Sequence, residues 1–229
     1  MKTKANLAVV FLSVLVKSKG KSRQFRIKQY AQAISQLSKW LTDCDIILVE
    51  NTGFMDQYPR TNPLHECMVK HNILSLPANT GLRNKGLGEL EMFAAASEAL
   101  PFENWKNILY ITGRQFHITP YAIEKALNIE SGLLVSNPSF TFVDGNTFQP
   151  GTQNQWNDMF FAGDSSTMNS YLEHYKKNAF RLEKLGLSSE ELLWDFTTQE
   201  NIRIQVLPAL GLLRSQGKNP RRLSDWHVI

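Results

Sequence analysis

Three stretches of this 229-residue chain combine residue types and spacings that could do chemistry. The first is Asn84-Lys85-Gly86-Leu87-Gly88, a glycine-punctuated turn that opens an amphipathic run to residue 100. Such a turn lets backbone approach a ligand closely, and the helix start at 86–88 offers unpaired N–H groups and a dipole that favours anions. Glu89 and Glu91 also suit that dipole, so a plain helix start explains the same residues. The second stretch, Lys17-Ser-Lys19-Gly20-Lys21-Ser22, carries a Gly-Lys-Ser that suggests a phosphate loop. That loop requires another glycine five positions before Gly20, and Leu15 stands there. What remains is a basic loop that could meet a phosphate as point charges, or a solvated charge run. The third is Ile111-Thr112-Gly113-Arg114-Gln-Phe-His117, in which a guanidinium could grip phosphate oxygens bidentately. His117 could assist it or be an ordinary polar loop residue.

These stretches need elements to position them. "NLAVVFLSVLV" (6–16) is a continuous aliphatic run, the mark of a strand covered on both faces. Residues 23–41 place Ile27, Tyr30, Ala31, Ile34, Leu37 and Leu41 at helical spacing. Strands are expected at 45–53, ending in Glu50-Asn51-Thr52, at 72–81 and at 107–114, with a helix over about 86–99 between the last two. Thr119 as N-cap and Pro120 at the first helical position start a helix to about Asn128. Short strands over 132–148, a strand at 158–163, a helix over 165–183 and another near 189–200 follow. Ser188 and Glu191 make a capping box for that last helix. The alternation predicts a single α/β domain: an open, mostly parallel sheet with flanking helices. In such sheets the ligand lies beyond the carboxyl ends of the strands, where Lys17–Arg23, Glu50–Thr52, Ala78–Lys85 and Thr112–His117 gather.

The bulk composition narrows the choice. A hydrophobic share of 42% and a charged share of 20% are those of a globular protein. The net charge of +4 suits an anionic ligand but is too mild to demand nucleic acid. Cys44 and Cys67 form neither a metal spacing nor a disulfide framework, which points to a reducing, cytoplasmic setting. The apolar run at 5–16 is too short to span a membrane, and basic residues rather than a cleavage pattern follow it, so a buried first strand is expected instead of a signal peptide. His65, Glu66 and Cys67 have no second cluster to complete a metal site. Gly86 and Gly88 begin a dinucleotide fingerprint, but Glu91 holds its third glycine position.

The order of these pieces resembles the nucleotide-binding half of a GT-A-type glycosyltransferase over about residues 5–118. More closely, Gly86-Leu87-Gly88-Glu89, Ile111-Thr112-Gly113-Arg114, Phe160-Phe161-Ala162 and Glu191 are similar to a group of small viral and bacterial sugar transferases. The resemblance implies a nucleotide-sugar donor, a glycan or other hydroxyl acceptor and a place in polysaccharide biosynthesis. It implies that Glu50, with Asn51 and Thr52, meets the nucleoside, and that Asn84, Lys85, Gly86 and Gly88 contact ribose or phosphate. The half from about 119 to 229 would shape the acceptor side. The D-x-D motif that holds Mn²⁺ or Mg²⁺ in many such enzymes is replaced by Thr112-Gly113-Arg114. Arg114, helped by Lys85 or the basic loop, is then expected to neutralise the diphosphate leaving group in place of a metal.

An inverting transfer needs a base for the acceptor hydroxyl. Asp158, Asp144, Asp164 and Glu191 are candidates, with Asp158 ahead because an aromatic strand adjoins it. Asp144 suits an Asp-Gly turn, and Glu191 is explained by its capping box. Trp156, Phe160 and Phe161 suit either a sugar-stacking groove or the core. Two other functions fit the pattern: a nucleotidyltransferase acting on a sugar phosphate, and a basic binding module for RNA or an anionic membrane surface, peripheral contact running through 17–28 and 214–222.

Overall fold

A computed structural model describes residues 5–12, 21–51, 70–76, 84–112, 119–136, 140–142, 147–148, 156, 158–207, 213–215 and 226–228. The first strand, β1 (Asn6–Leu12), is followed by α1 (Lys21–Trp40), β2 (Cys44–Glu50) and β3 (Asn72–Ser75). Next come α2 (Lys85–Ala99), β4 (Asn107–Thr112), α3 (Pro120–Leu127) and the short strands β5 (Leu133–Ser136), β6 (Phe140–Phe142) and β7 (Thr147–Phe148). The chain continues through β8 (Phe160–Asp164), α4 (Ser165–Lys177), α5 (Ala179–Lys184), α6 (Ser189–Gln199), β9 (Ile204–Leu207), β10 (Leu213–Ser215) and β11 (Trp226–Val228).

Seven strands form one sheet in the order β3-β2-β1-β4-β8-β5-β9. β1 pairs in parallel with β2 and β4, β2 with β3, and β5 with β9. β8 runs antiparallel to both β4 and β5, so the sheet is mostly parallel with one reversed strand at its middle. β10, β11, β6 and β7 pair antiparallel in a second, smaller sheet.

The alternation of side chains explains why β1 is apolar throughout. Ala8, Val10 and Leu12 face a layer containing Tyr30, Ile34 and Leu37 of α1 and Ala122, Ile123 and Ala126 of α3. Leu7, Val9 and Phe11 face the opposite layer, with Phe93 of α2, Tyr171 and Tyr175 of α4 and Phe196 of α6. A strand covered on both sides has no polar face to keep. The second layer is aromatic: Tyr110 and Phe161 stack at 4.4 Å, and Phe93 lies edge-on to Tyr110 at 5.2 Å. Each fully buried ring of this kind stabilises the fold by about 1.5–3 kcal/mol relative to exposure.

Several elements differ from the sequence expectation. The helix expected over 165–183 is two helices, because Asn178 (φ −102°, ψ 9°) leaves helical geometry and its side-chain amide donates to the His174 carbonyl at 2.9 Å. The strand expected at 72–81 is only Asn72–Ser75 among the described residues. β9, β10 and β11 were not foreseen: each is only three or four residues long, and β9 is an edge strand with three exposed residues, too short for its apolar residues to set a period. Among the described residues no helix is long and apolar enough to cross a membrane.

Candidate functional site

The carboxyl ends of β1, β2 and β4 lie side by side, with Leu12 opposite Glu50 and Phe11 opposite Thr112. Glu50 and Asn51 are both buried there, and the Glu50 carbonyl accepts from the Leu76 amide at 2.7 Å, fastening the end of β3. Thr112 donates its amide to the Met159 carbonyl at 2.8 Å. Because β8 runs backwards, the residue that precedes it arrives at this same edge. That residue, Met159, follows Asp158 directly, so Asp158 comes to the edge with it.

The turn before α2 reaches the edge from the other side. Asn84 sits in extended geometry and its side-chain oxygen accepts the Leu87 amide at 3.1 Å, while its amide donates to the Leu182 carbonyl at 2.9 Å. Asn84 is thus both the helix N-cap and a tie to α5. Gly86 and Gly88 lie buried in the first turn of α2. The Gly86 carbonyl accepts the Tyr175 hydroxyl at 2.6 Å, and a Cβ on Gly86 would meet Leu182 Cδ2 at 3.3 Å. Close packing against α4 and α5 gives Gly86 a local reason of its own.

Lys85, which lies between cap and glycine, makes the long-range contact. Its Nζ is 3.3 Å from Glu89 Oε1, one helical turn on, and 3.5 Å from Asp158 Oδ2. The lysine side chain is 60% exposed, whereas those of Glu89 and Asp158 are 7% and 3% exposed. One ammonium therefore closes the solvent side of two buried carboxylates. The Ser189 hydroxyl, at the start of α6, donates to the same Asp158 oxygen at 2.5 Å. Glu190 adjoins this pair, and its carbonyl accepts from the Trp156 amide at 3.3 Å. Trp156 is held in turn by its indole N–H on Thr197 Oγ1 (2.9 Å) and by its ring against Trp194 (4.8 Å).

The electrostatics follow from one cation among three acids. The Asp158 carboxylate raises the Lys85 ammonium well above its usual range, outweighing the opposing effect of burial, with Glu89 and Glu190 adding to the rise. Burial pushes the Glu89 carboxyl up to about 7, against the pull of Lys85 and with help from Asp158. Glu190 is also raised, by burial first and Asp158 second. Glu89 Oε2 is buried without a hydrogen-bond partner. Among the described residues no group of three or more His, Cys, Asp or Glu side chains is arranged to hold a metal ion. An ammonium already sits between the carboxylates that come together here.

The structure therefore brings together Lys85 and Asp158 among the expected site residues, with Glu50, Asn51 and Thr112 along the same strand ends. Glu191 does not join them: its carboxylate accepts the Ser188 amide at 2.8 Å and the Ser188 hydroxyl at 2.9 Å, completing the capping box. Asp164 caps α4. Burial raises its carboxyl, but hydrogen bonds from the Thr167 hydroxyl and from the amides of Thr167, Gly132 and Ser166 outweigh that and hold it below the usual range. Trp156, Phe160 and Phe161 are buried core residues. Thr52, Gly113, Arg114, His117, Asp144 and the basic loop over 17–20 lie outside the described residues.

Sequence reasoning missed Glu89, Ser189 and Glu190 as site residues. For Glu89 a signal existed: it shares the apolar stripe of α2 with Met92, Phe93 and Ala96, at i+3, i+4 and i+7. A carboxylate on the buried face of a helix, four residues after a lysine, needed an explanation that the dipole alone does not give.

No family model and no curated relative matches the chain. Solved structures do. The 4-diphosphocytidyl-2C-methyl-D-erythritol synthase from Anaerococcus prevotii DSM 20548 is similar with a TM-score of 0.53 at 14% identity, over 90% of this chain and 87% of that one. A candidate nucleotide-diphospho-sugar transferase from Desulfovibrio desulfuricans G20 is similar with a TM-score of 0.51 at 10% identity, over 89% of this chain and 79% of that one. The chain thus has a mixed α/β fold of the nucleotide-diphospho-sugar transferase type.

Proposed function

We propose that this protein is a glycosyltransferase that binds a nucleotide-sugar donor at the carboxyl edge of its parallel strands and passes the sugar to a hydroxyl acceptor. One observation carries the reading: Lys85, from the expected donor turn, lies 3.5 Å from Asp158, from the expected acceptor half. A transferase needs a cation for the departing diphosphate and a carboxylate for the incoming hydroxyl within one site, and this contact supports assigning both groups to the same site.

In this reading the buried end of β2, with Glu50 and Asn51, flanks the nucleoside, and Lys85 turns toward the diphosphate with Arg114 as its bidentate partner. Asp158 accepts the acceptor proton as the new glycosidic bond forms, and Ser189 and Trp156 fix its position. Glu191 stays in its helix cap and outside the chemistry. The acceptor is a glycan or another hydroxyl compound, and the setting is cytoplasmic polysaccharide biosynthesis.

A nucleotidyltransferase acting on a sugar phosphate is the second reading, favoured by the likeness to the erythritol synthase named above. The two differ in the bond broken. Thermal shifts against nucleotide sugars and nucleoside triphosphates, with Mn²⁺ and with EDTA, identify the ligand; a ligand at about 100 times its Kd adds roughly 2.7 kcal/mol of stability. Release of a nucleoside diphosphate from a nucleotide sugar supports the glycosyltransferase, and release of pyrophosphate from a triphosphate replaces it with the second reading. In Arg114→Ala, unchanged donor affinity removes the role given to that residue.

A further inference from the structure

Lys85 is shared between two buried anions. Its ammonium lies 3.3 Å from Glu89 and 3.5 Å from Asp158, and among the described residues it is the cation that pairs with them. Asp158 has a second partner, the Ser189 hydroxyl. Glu89 is placed differently: Oε1 faces Lys85, and Oε2 is buried with nothing to bond to. An incoming diphosphate draws the ammonium outward, and the exposed lysine stem leaves room for that movement. Asp158 keeps its serine. Glu89 keeps only low-dielectric surroundings, in which an unpaired carboxylate is strongly disfavoured.

We propose that donor binding at this site is coupled to proton uptake, with Glu89 taking a proton from solvent as Lys85 leaves it for the diphosphate. The inference rests on the donor-binding reading above and adds to it a specific charge exchange. Before binding, Lys85 stabilises the ionised fraction of Glu89; afterwards a proton replaces that pairing, and the ammonium is free for the donor. Glu89 is then a positioning residue, acting on the donor through Lys85.

The groups around Glu89 favour this exchange. Lys85 faces it from its own helix, Asp158 from the segment before β8 and Glu190 from α6. Tyr110 of β4 and Tyr171 and Tyr175 of α4 face it from the core, all three raised by burial and so neutral across the relevant range. Besides Lys85, then, the groups facing Glu89 among the described residues are acids or neutral phenols. With its carboxyl already pushed to about 7 beside Lys85, loss of the lysine moves it higher and neutral solution supplies the proton.

The experiment is isothermal titration calorimetry of the full chain with UDP-glucose, GDP-mannose and CDP-glucose, in buffers of different ionisation enthalpy between pH 6.5 and 8.5. These donors have no group of their own titrating in that window. The expected result is uptake of a substantial fraction of a proton per donor bound, with affinity falling up to about tenfold per pH unit at the alkaline end. Glu89→Gln should bind with an affinity that no longer varies with pH and without uptake, and Lys85→Gln should lose uptake along with most affinity. Glu91→Gln, on the same helix, should retain it. Binding without uptake, or uptake that persists in Glu89→Gln, overturns the inference and leaves the donor reading standing. Failure of every donor to bind at every pH overturns both.

Discussion

The amino ends of α2 and α6 are built alike and used differently. Each has a side-chain cap, Asn84 on one and Ser188 on the other, and each has an acid within its first turns. In α6 the acid, Glu191, folds back three residues onto the cap, so both of its hydrogen bonds are local. In α2 the acid, Glu89, lies on the buried face and pairs with Lys85, which in turn reaches Asp158 across 73 residues. The Ser188–Glu191 box is complete in itself, and what α6 adds to the candidate site comes from its neighbours Ser189 and Glu190 instead. The long-range arrangement leaves a buried oxygen unpaired and a cation at the solvent boundary. Unbalanced electrostatics, rather than the presence of acids at a helix start, separates a candidate site from a cap.

Substitution at Asp158 tests that contrast most severely. Asp158→Asn preserves shape and removes the charge, and it should lower the rate of nucleoside diphosphate release by roughly 10²–10⁴-fold, the usual scale for a general base. Retention of wild-type turnover would move Asp158 out of the chemistry and leave α2 as a packing feature.

Stability of Glu89→Gln against pH comes next. A carboxyl raised to about 7 stays protonated in the folded chain after the unfolded chain has lost its proton. Its contribution is therefore present below about pH 4.5 and lost as pH rises through 7, a change of about 3 kcal/mol for a shift from 4.5 to about 7. Urea unfolding at pH 5 and pH 8 should show the wild type losing more stability than Glu89→Gln over that interval. Parallel losses would mean that Glu89 is ionised with Lys85 throughout.

The cap should respond more weakly. Glu191→Ala removes one half of the capping box and should cost about 1 kcal/mol in chemical denaturation, with turnover of the folded protein unchanged. Gly86→Ala is the smallest change. Helix propensity favours alanine by up to about 1 kcal/mol, while the added methyl meets Leu182 at 3.3 Å and Asn84 Oδ1 at 3.4 Å. Net stability should move by less than about 1 kcal/mol, and a much larger loss would show that Leu182 cannot give way.

What could be read in the chain was what depends on near neighbours. β1, α1, β2, α2 and β4 were each announced by a continuous apolar run or a helical stripe, and the Thr119-Pro120 and Ser188–Glu191 helix starts by their capping residues. Asp158 was singled out for its aromatic neighbours, and Lys85 for its turn. The break at Asn178 is local, made by a bond to His174 four residues back, and left no mark on the helical pattern. β9 and the reversal of β8 were hidden, because each depends on a partner far along the chain. The same holds for Glu89.

The sequence by itself determined the α/β class and marked Lys85 and Asp158 as candidates, since periodicity and capping act within a few residues. Only the tertiary structure decided that one ammonium stands between Glu89 and Asp158 and that Ser189 holds the second of these. Those facts follow from the antiparallel run of β8, which brings Asp158 to this edge, and from the docking of α6 on α4. Burial and charge pairing are properties of distance in space, which spacing along a chain does not encode.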